Sequence, residues 1–96
     1  MTIMNLTEYI YILSLQDGSC YVNHTASVSQ EIMRHTKGEI SATSGKDPQL
    51  VWVEEWNNLE TLQKRVASLS ELSKESPKDL LHILQARLPF GGYHWG

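Results

Sequence analysis

The sequence predicts an α+β domain, a three-stranded sheet flanked by helices in the order β-β-α-β-α-α. Three observations predict it. Two short runs of β-branched and aromatic residues, 9–15 (YIYILSL) and 20–24 (CYVNH), flank an Asp17-Gly18 turn. A third run of that kind, residues 50–56 (LVWVEEW), follows a helix-like stretch. Two amphipathic segments come after it.

Gly18 supplies the positive φ that a tight hairpin turn demands. After the second run, Ser27 and Gln30 have the spacing of a capping box, and Val28, Ile32 and His35 share one helical face. That helix is expected to end near Lys37-Gly38, glycine being the usual terminator. Residues 39–49 (EISATSGKDPQ) read as a polar loop. In the third strand, Val51 and Val53 or their alternates face the core, and Glu54 and Glu55, as neighbours, point to opposite faces. Asn57-Asn58 can cap the second helix, whose stripe Leu59, Leu62, Val66, Leu69 and Leu72 is read as core. Ser76-Pro77 starts a third helix with proline at its tolerated first position and an apolar side of Leu80, Leu81, Ile83, Leu84 and Leu88.

The 96 residues form one domain, 1–96, with a core at about 8–84 and an aromatic tail at 89–96. No apolar run reaches the ~18 residues of a membrane span, and residues 1–8 lack the pattern of a secretory signal. Cys20, the single cysteine, favours a reducing compartment, so a cytoplasmic location and no membrane association are expected. It reads as a small strand hydrophobe, since no base is identifiable beside it. His24, His35, His82 and His94 lack His-x₃-His spacing, which argues against zinc. Eight Lys and Arg against eleven Asp and Glu leave a net charge of -3 with no basic stripe. Binding to phosphates rests on clustered cations, so DNA binding is expected to be weak or absent.

The ordered motifs resemble the GIY-YIG nuclease superfamily, most of all its short stand-alone members. Tyr9-Ile10-Tyr11 and Tyr21-Val22-Asn23 stand where the two family motifs stand, and His35 and Gly38 match the histidine and glycine around the first helix. Residues 50–56 are similar to the family's third strand, and the likeness runs over roughly 8–84. The resemblance implies a metal-dependent endonuclease with Tyr11 as general base and Tyr21 positioning phosphate. In the same register the family's second-motif glycine is Asn23, its catalytic arginine is Glu31 and its metal-binding glutamate is Val66. Asn23 brings a side chain into the site, and is the mildest replacement if positive φ is needed there. At ~4 Å and an effective dielectric of ~20, replacing arginine by glutamate turns about 4 kcal/mol of attraction for phosphate into a similar repulsion. Valine offers Mg²⁺ no oxygen.

The expected site residues Tyr11, Tyr21, Asn23, Glu31, His35 and Val66 are therefore vestigial, and no cofactor is expected; Mg²⁺ enters only if the chain is an active nuclease. The bland readings are strand aromatics kept for packing (Tyr11, Tyr21) and a helix-end histidine capping carbonyls (His35). The first functional reading is a non-catalytic GIY-YIG-like module that binds a protein partner or a second copy, with Phe90, Tyr93 and Trp95 as candidate contacts. Those rings either fold over the core or serve an interface. The alternatives are a divergent metal-dependent nuclease acting on DNA, and an acidic inhibitor or DNA mimic. Clustering of Glu31, Glu39, Glu54, Glu55 and Glu60 on one face would favour the last.

Overall fold

The computed structural model describes residues 7–87, and side chains as far as Leu84. The order is β1 (Glu8–Ser14), β2 (Cys20–Thr25), α1 (Val28–Thr36), β3 (Gln49–Trp56), α2 (Leu59–Glu75) and α3 (Pro77–Arg87), as the sequence predicts. The strands form one antiparallel sheet, β2-β1-β3. Phe90, Tyr93, Trp95 and Leu88 lie outside the described residues.

β1 is central, and both of its faces are covered. Ile10 and Ile12 join Trp52, Leu62, Leu69, Leu80 and Leu84 in a core under α2 and α3. Tyr11 and Leu13, with Leu15 and Val53, form a second core on which Val28 and Ile32 of α1 pack. The period-2 alternation of a strand thus feeds two different helical layers. Between Ile12 and Leu13 the register with β3 shifts, pairing Ile12 with Trp52 and Leu13 with Leu50. One extra residue, Val51, is taken up there, as in a β-bulge. The buried β3 residues are Trp52 and Val53; Val51 is only partly buried.

The turns obey their glycines. Gly18 has φ +89° and Gly38 φ +76°. At the end of α1 the N–H of Glu39 donates to the Arg34 carbonyl and that of Gly38 to His35, both at 3.0 Å, the paired bonds of a Schellman cap. The start of α1 departs from expectation. Ser27 is the N-cap but its side chain makes no capping bond; Thr25 Oγ1 instead accepts the Ser27 N–H at 3.1 Å, so there is no capping box. Asn58 caps α2 as expected, accepting the Thr61 N–H at 3.0 Å.

The α2 stripe is core with one exception. Leu59 is 51% exposed because it sits in the first turn, beyond the sheet's cover, and Ile83 of α3 is likewise exposed. Ser73 takes up buried surface instead, its hydroxyl donating to the Ser70 carbonyl.

One polar device ties α2 to the sheet. Glu54, on the same β3 face as Trp52 and Trp56, accepts the indole N–H of both at 2.9 Å and a two-pronged bond from the Arg65 guanidinium of α2. Burial pushes the Glu54 carboxyl up, but these four donors and the arginine charge outweigh it and hold it below the usual carboxylate range. Glu55 is exposed on the other side, as neighbouring strand residues must be. Replacing Arg65 with Ala leaves a largely buried carboxylate with only the indoles. Urea unfolding is expected to show a loss of about 2–3 kcal/mol, and a loss below ~0.5 kcal/mol would show that the clamp contributes little.

Candidate functional site

On the α1 side of the sheet, β1 delivers Tyr11, β2 delivers Tyr21 and Asn23, and the i, i+4 spacing of α1 delivers Glu31 and His35. The rings of Tyr11, Tyr21 and His35 cluster, with centroids 5.1–6.2 Å apart and tilted or edge-on contacts. Tyr11 and His35 are shut off from solvent, at 0% and 1% exposure.

The hydroxyl of Tyr11 lies 3.0 Å from Glu31 Oε2 and 2.9 Å from His35 Nε2. A carboxylate only accepts, so the single tyrosine proton goes to Glu31, and His35 Nε2–H donates to the tyrosine oxygen. His35 Nδ1 then accepts from Thr43 Oγ1 at 2.6 Å, a contact much shorter than the 3.4 Å between that hydroxyl and the Ile40 carbonyl. The chain of donation therefore runs Thr43 to His35 to Tyr11 to Glu31. It ends on the Glu31 carboxylate, whose Oε1 also accepts from Arg34 at 3.2 Å; Arg34 lies 3.6 Å from Glu39 as well.

Electrostatics follow the wiring. Burial, then the hydrogen bond to Glu31, then the charges of Tyr21 and Glu31 push the Tyr11 hydroxyl well above the ordinary tyrosine range. Burial lowers the His35 imidazole; Glu31 opposes this and Arg34 adds to it, and the net direction is down. A tyrosine whose proton is held by a carboxylate, with no solvent access, is a poor general base.

His35 is thus not a carbonyl cap, since both of its ring nitrogens meet side-chain hydroxyls, and Tyr11 is held by hydrogen bonds as well as by packing. Asn23 sits in the β1–β2 ladder opposite Tyr11 without positive φ, so the register asks for no glycine conformation there. Its amide donates to the Tyr21 hydroxyl at 2.9 Å and its Oδ1 accepts the His24 N–H at 2.8 Å. Val66 is not brought to this cluster. It packs from α2 against the Ile10–Ile12–Trp52 core, across the sheet. Mg²⁺ needs several hard oxygens; Glu31 is the cluster's one carboxylate, and among the described residues no group of three or more metal-ligating side chains occurs. The residues do not fit that ion.

The acidic residues do not all share one face. Glu31 and Glu39 flank Arg34 on the α1 side, Glu55 lies on the sheet face opposite Glu54, Glu54 is on the α2 side and paired with Arg65, and Glu60 pairs with Lys64. Sequence reasoning missed Thr43 and Arg34. Arg34 could have been found from its i, i+3 spacing to Glu31, whereas nothing local marks Thr43.

The β-β-α-β-α-α order, with two strand tyrosines set beside a helix histidine, can now be compared with known proteins. The chain is similar to a UPF0213 protein of Natronomonas pharaonis, 28% identical over 80 residues, covering 81% of this chain and 94% of that one. It is also similar to the solution NMR structure of a UPF0213 protein from Bacillus halodurans, with a TM-score of 0.52 and 26% identity over 80% of this chain and 84% of that one. UPF0213 is a GIY-YIG-like family, so both likenesses agree with the resemblance carried by the motifs. No protein-family model matches the chain.

Two outcomes are expected. Tyr11→Phe removes the link between His35 and Glu31 and is expected to cost about 1–3 kcal/mol in urea unfolding; a neutral effect would show the network to be slack. The lowered His35 makes the folded state bind fewer protons than the unfolded one. Its contribution is whole above the unfolded value of ~6.5 and is lost as pH falls from there towards the lower folded value. Denaturation between pH 7 and 5 is expected to show that loss, and a flat profile would contradict it. Glu54 and Asp17, both lowered, lose their contributions only at more acid pH, in the carboxylate range.

Proposed function

We propose that this domain is a non-catalytic GIY-YIG-like binding module that engages a protein partner. The observation that carries the reading is the closed chain from Thr43 through His35 and Tyr11 to Glu31. Catalysis of phosphodiester cleavage requires a base able to take a proton and cations at the scissile phosphate. Here the tyrosine's proton is held, a carboxylate stands in the arginine position, and Val66 packs on the far side of the sheet. Loss of such an arginine costs roughly 10³–10⁵ in phosphoryl transfer.

The net charge of -3 supports a protein partner over nucleic acid. Phe90, Tyr93 and Trp95 are the aromatic residues we assign to that contact, aromatic anchors being what dominates interface energetics. A cytoplasmic setting accords with the unpaired Cys20.

Purified protein incubated with duplex, branched and single-stranded DNA in Mg²⁺ or Mn²⁺ is expected to show no cleavage. It should also bind DNA only weakly at low salt. Metal-dependent turnover that co-purifies with the protein and vanishes in Tyr11→Phe would overturn the reading, as would sub-micromolar binding at physiological salt with a steep salt slope.

A further inference from the structure

On the sheet face opposite Tyr11, Glu8, His24, Trp56, Asn58, Leu59 and Leu62 line a cavity of about 250 Å³. Leu62 belongs to the core, while Leu59 is half exposed at the rim. The polar groups here are mostly committed. His24 Nδ1 donates to Glu8 Oε1 at 2.8 Å, Trp56 gives its indole N–H to Glu54, and the side-chain oxygen of Asn58 accepts from Thr61. Among the described residues three groups of the lining remain without a hydrogen-bond partner, the Asn58 amide N–H₂, His24 Nε2 and the second carboxylate oxygen of Glu8, and only the last belongs to an anion. Trp56, its N–H spent, offers the cavity its ring.

We propose that this cavity receives a primary ammonium on an apolar stem, namely a lysine side chain presented by a protein partner. The stem lies along Leu59 and Leu62, and the ammonium meets Glu8 Oε2 beside the Trp56 ring, which attracts cations. Arginine fits less well, because its planar fork wants two carboxylate oxygens and Glu8 Oε1 is held by His24. The positive end of α2 is close by, but the Asn58 cap and the first-turn Glu60 answer it. The chain's net negative charge favours a partner of opposite sign. This assignment rests on the protein-binding reading and names the chemistry of the partner.

The test titrates Nα-acetyl-lysine methylamide into the isotope-labelled full chain, following amide and indole signals of His24, Trp56 and Leu59 by NMR. Saturable shifts with a Kd of roughly millimolar order are expected, with the norleucine and Nε-acetyl-lysine analogues at least about tenfold weaker and the arginine analogue also weaker. Glu8→Gln, which keeps the shape, should weaken the lysine analogue about fivefold or more while the spectrum stays that of a folded protein. Leu59→Ser, at an exposed position, should weaken it too without disturbing Glu8 or His24. Equal shifts from the norleucine analogue, no saturation by about 20 mM, or indifference to Glu8→Gln would overturn the proposal. Butylammonium binding more tightly than the capped lysine would overturn the partner assignment in favour of a free amine. Cleavage of DNA by the domain would sink the reading above and leave these shifts as they are, so the two failures are separable.

Discussion

Burial of the central strand on both faces is the constraint on which the rest of this structure depends. An edge strand can turn polar side chains to water, but β1 cannot. Ile10, Tyr11, Ile12 and Leu13 are each at most 1% exposed. Three of them are hydrocarbon and need only packing. The fourth carries a hydroxyl, and an unpaired hydroxyl in that position costs about 1–3 kcal/mol. Tyr11 therefore recruits partners from α1, which fixes how α1 lies on the sheet. His35, once buried to serve Tyr11, has a second nitrogen to satisfy, and that fixes Thr43 in the loop before β3. The wiring of the cluster is a consequence of where β1 lies, and no buried side-chain polar atom among the described residues is left without a partner.

Much of this was legible in the sequence, and the boundary is physical. Strand alternation, the Asp17-Gly18 turn, Gly38 as helix terminator, Asn58 as cap and Pro77 as first helical residue are all local signals, and each stands where the sequence predicts. Tyr11, Tyr21, Glu31 and His35 were named together only through the resemblance to the GIY-YIG superfamily, and the structure brings their side chains into one cluster. Ser27 and Gln30 had capping-box spacing, yet Thr25 reached the Ser27 amide first, a competition that spacing does not reveal. Thr43 and the joining of Glu54 to Arg65 were not legible. The first depends on how a loop folds back on α1, and the second on the crossing of α2 over β3. Leu59 misled for the opposite reason: its period is right, but a stripe says nothing about where the surface it covers ends.

Glutamate at position 31 changes more than the sign of one charge. An arginine there would stabilise the tyrosine's anion and favour release of its proton. A carboxylate accepts that proton in a hydrogen bond and raises the cost of removing it. The same exchange lets Tyr11, His35 and Thr43 form a directed chain with every donor matched to an acceptor. The carboxylate that disfavours release of the Tyr11 proton is thus the same group that satisfies the buried hydroxyl, so one residue produces both effects. Arg34 adds to this, since it holds Glu31 by i, i+3 contact at the surface end of the chain.

The two layers also limit what a single substitution could bring to Tyr11. Glu31 and Val66 approach different faces of the sheet, with β1 between them. Replacing Val66 with Glu would put a carboxylate against Ile10, Ile12 and Trp52, where it meets hydrocarbon and not the Tyr11 hydroxyl. An arginine at position 31 would supply a cation, but the acceptor that ends the Thr43–His35–Tyr11 chain would be gone, and the tyrosine proton would need a new partner. A metal site beside Tyr11 therefore requires α2 to bring a different residue around the sheet edge, or α1 to supply carboxylates it does not carry. Which face each helix covers therefore constrains the chemistry beside Tyr11 as much as residue type does.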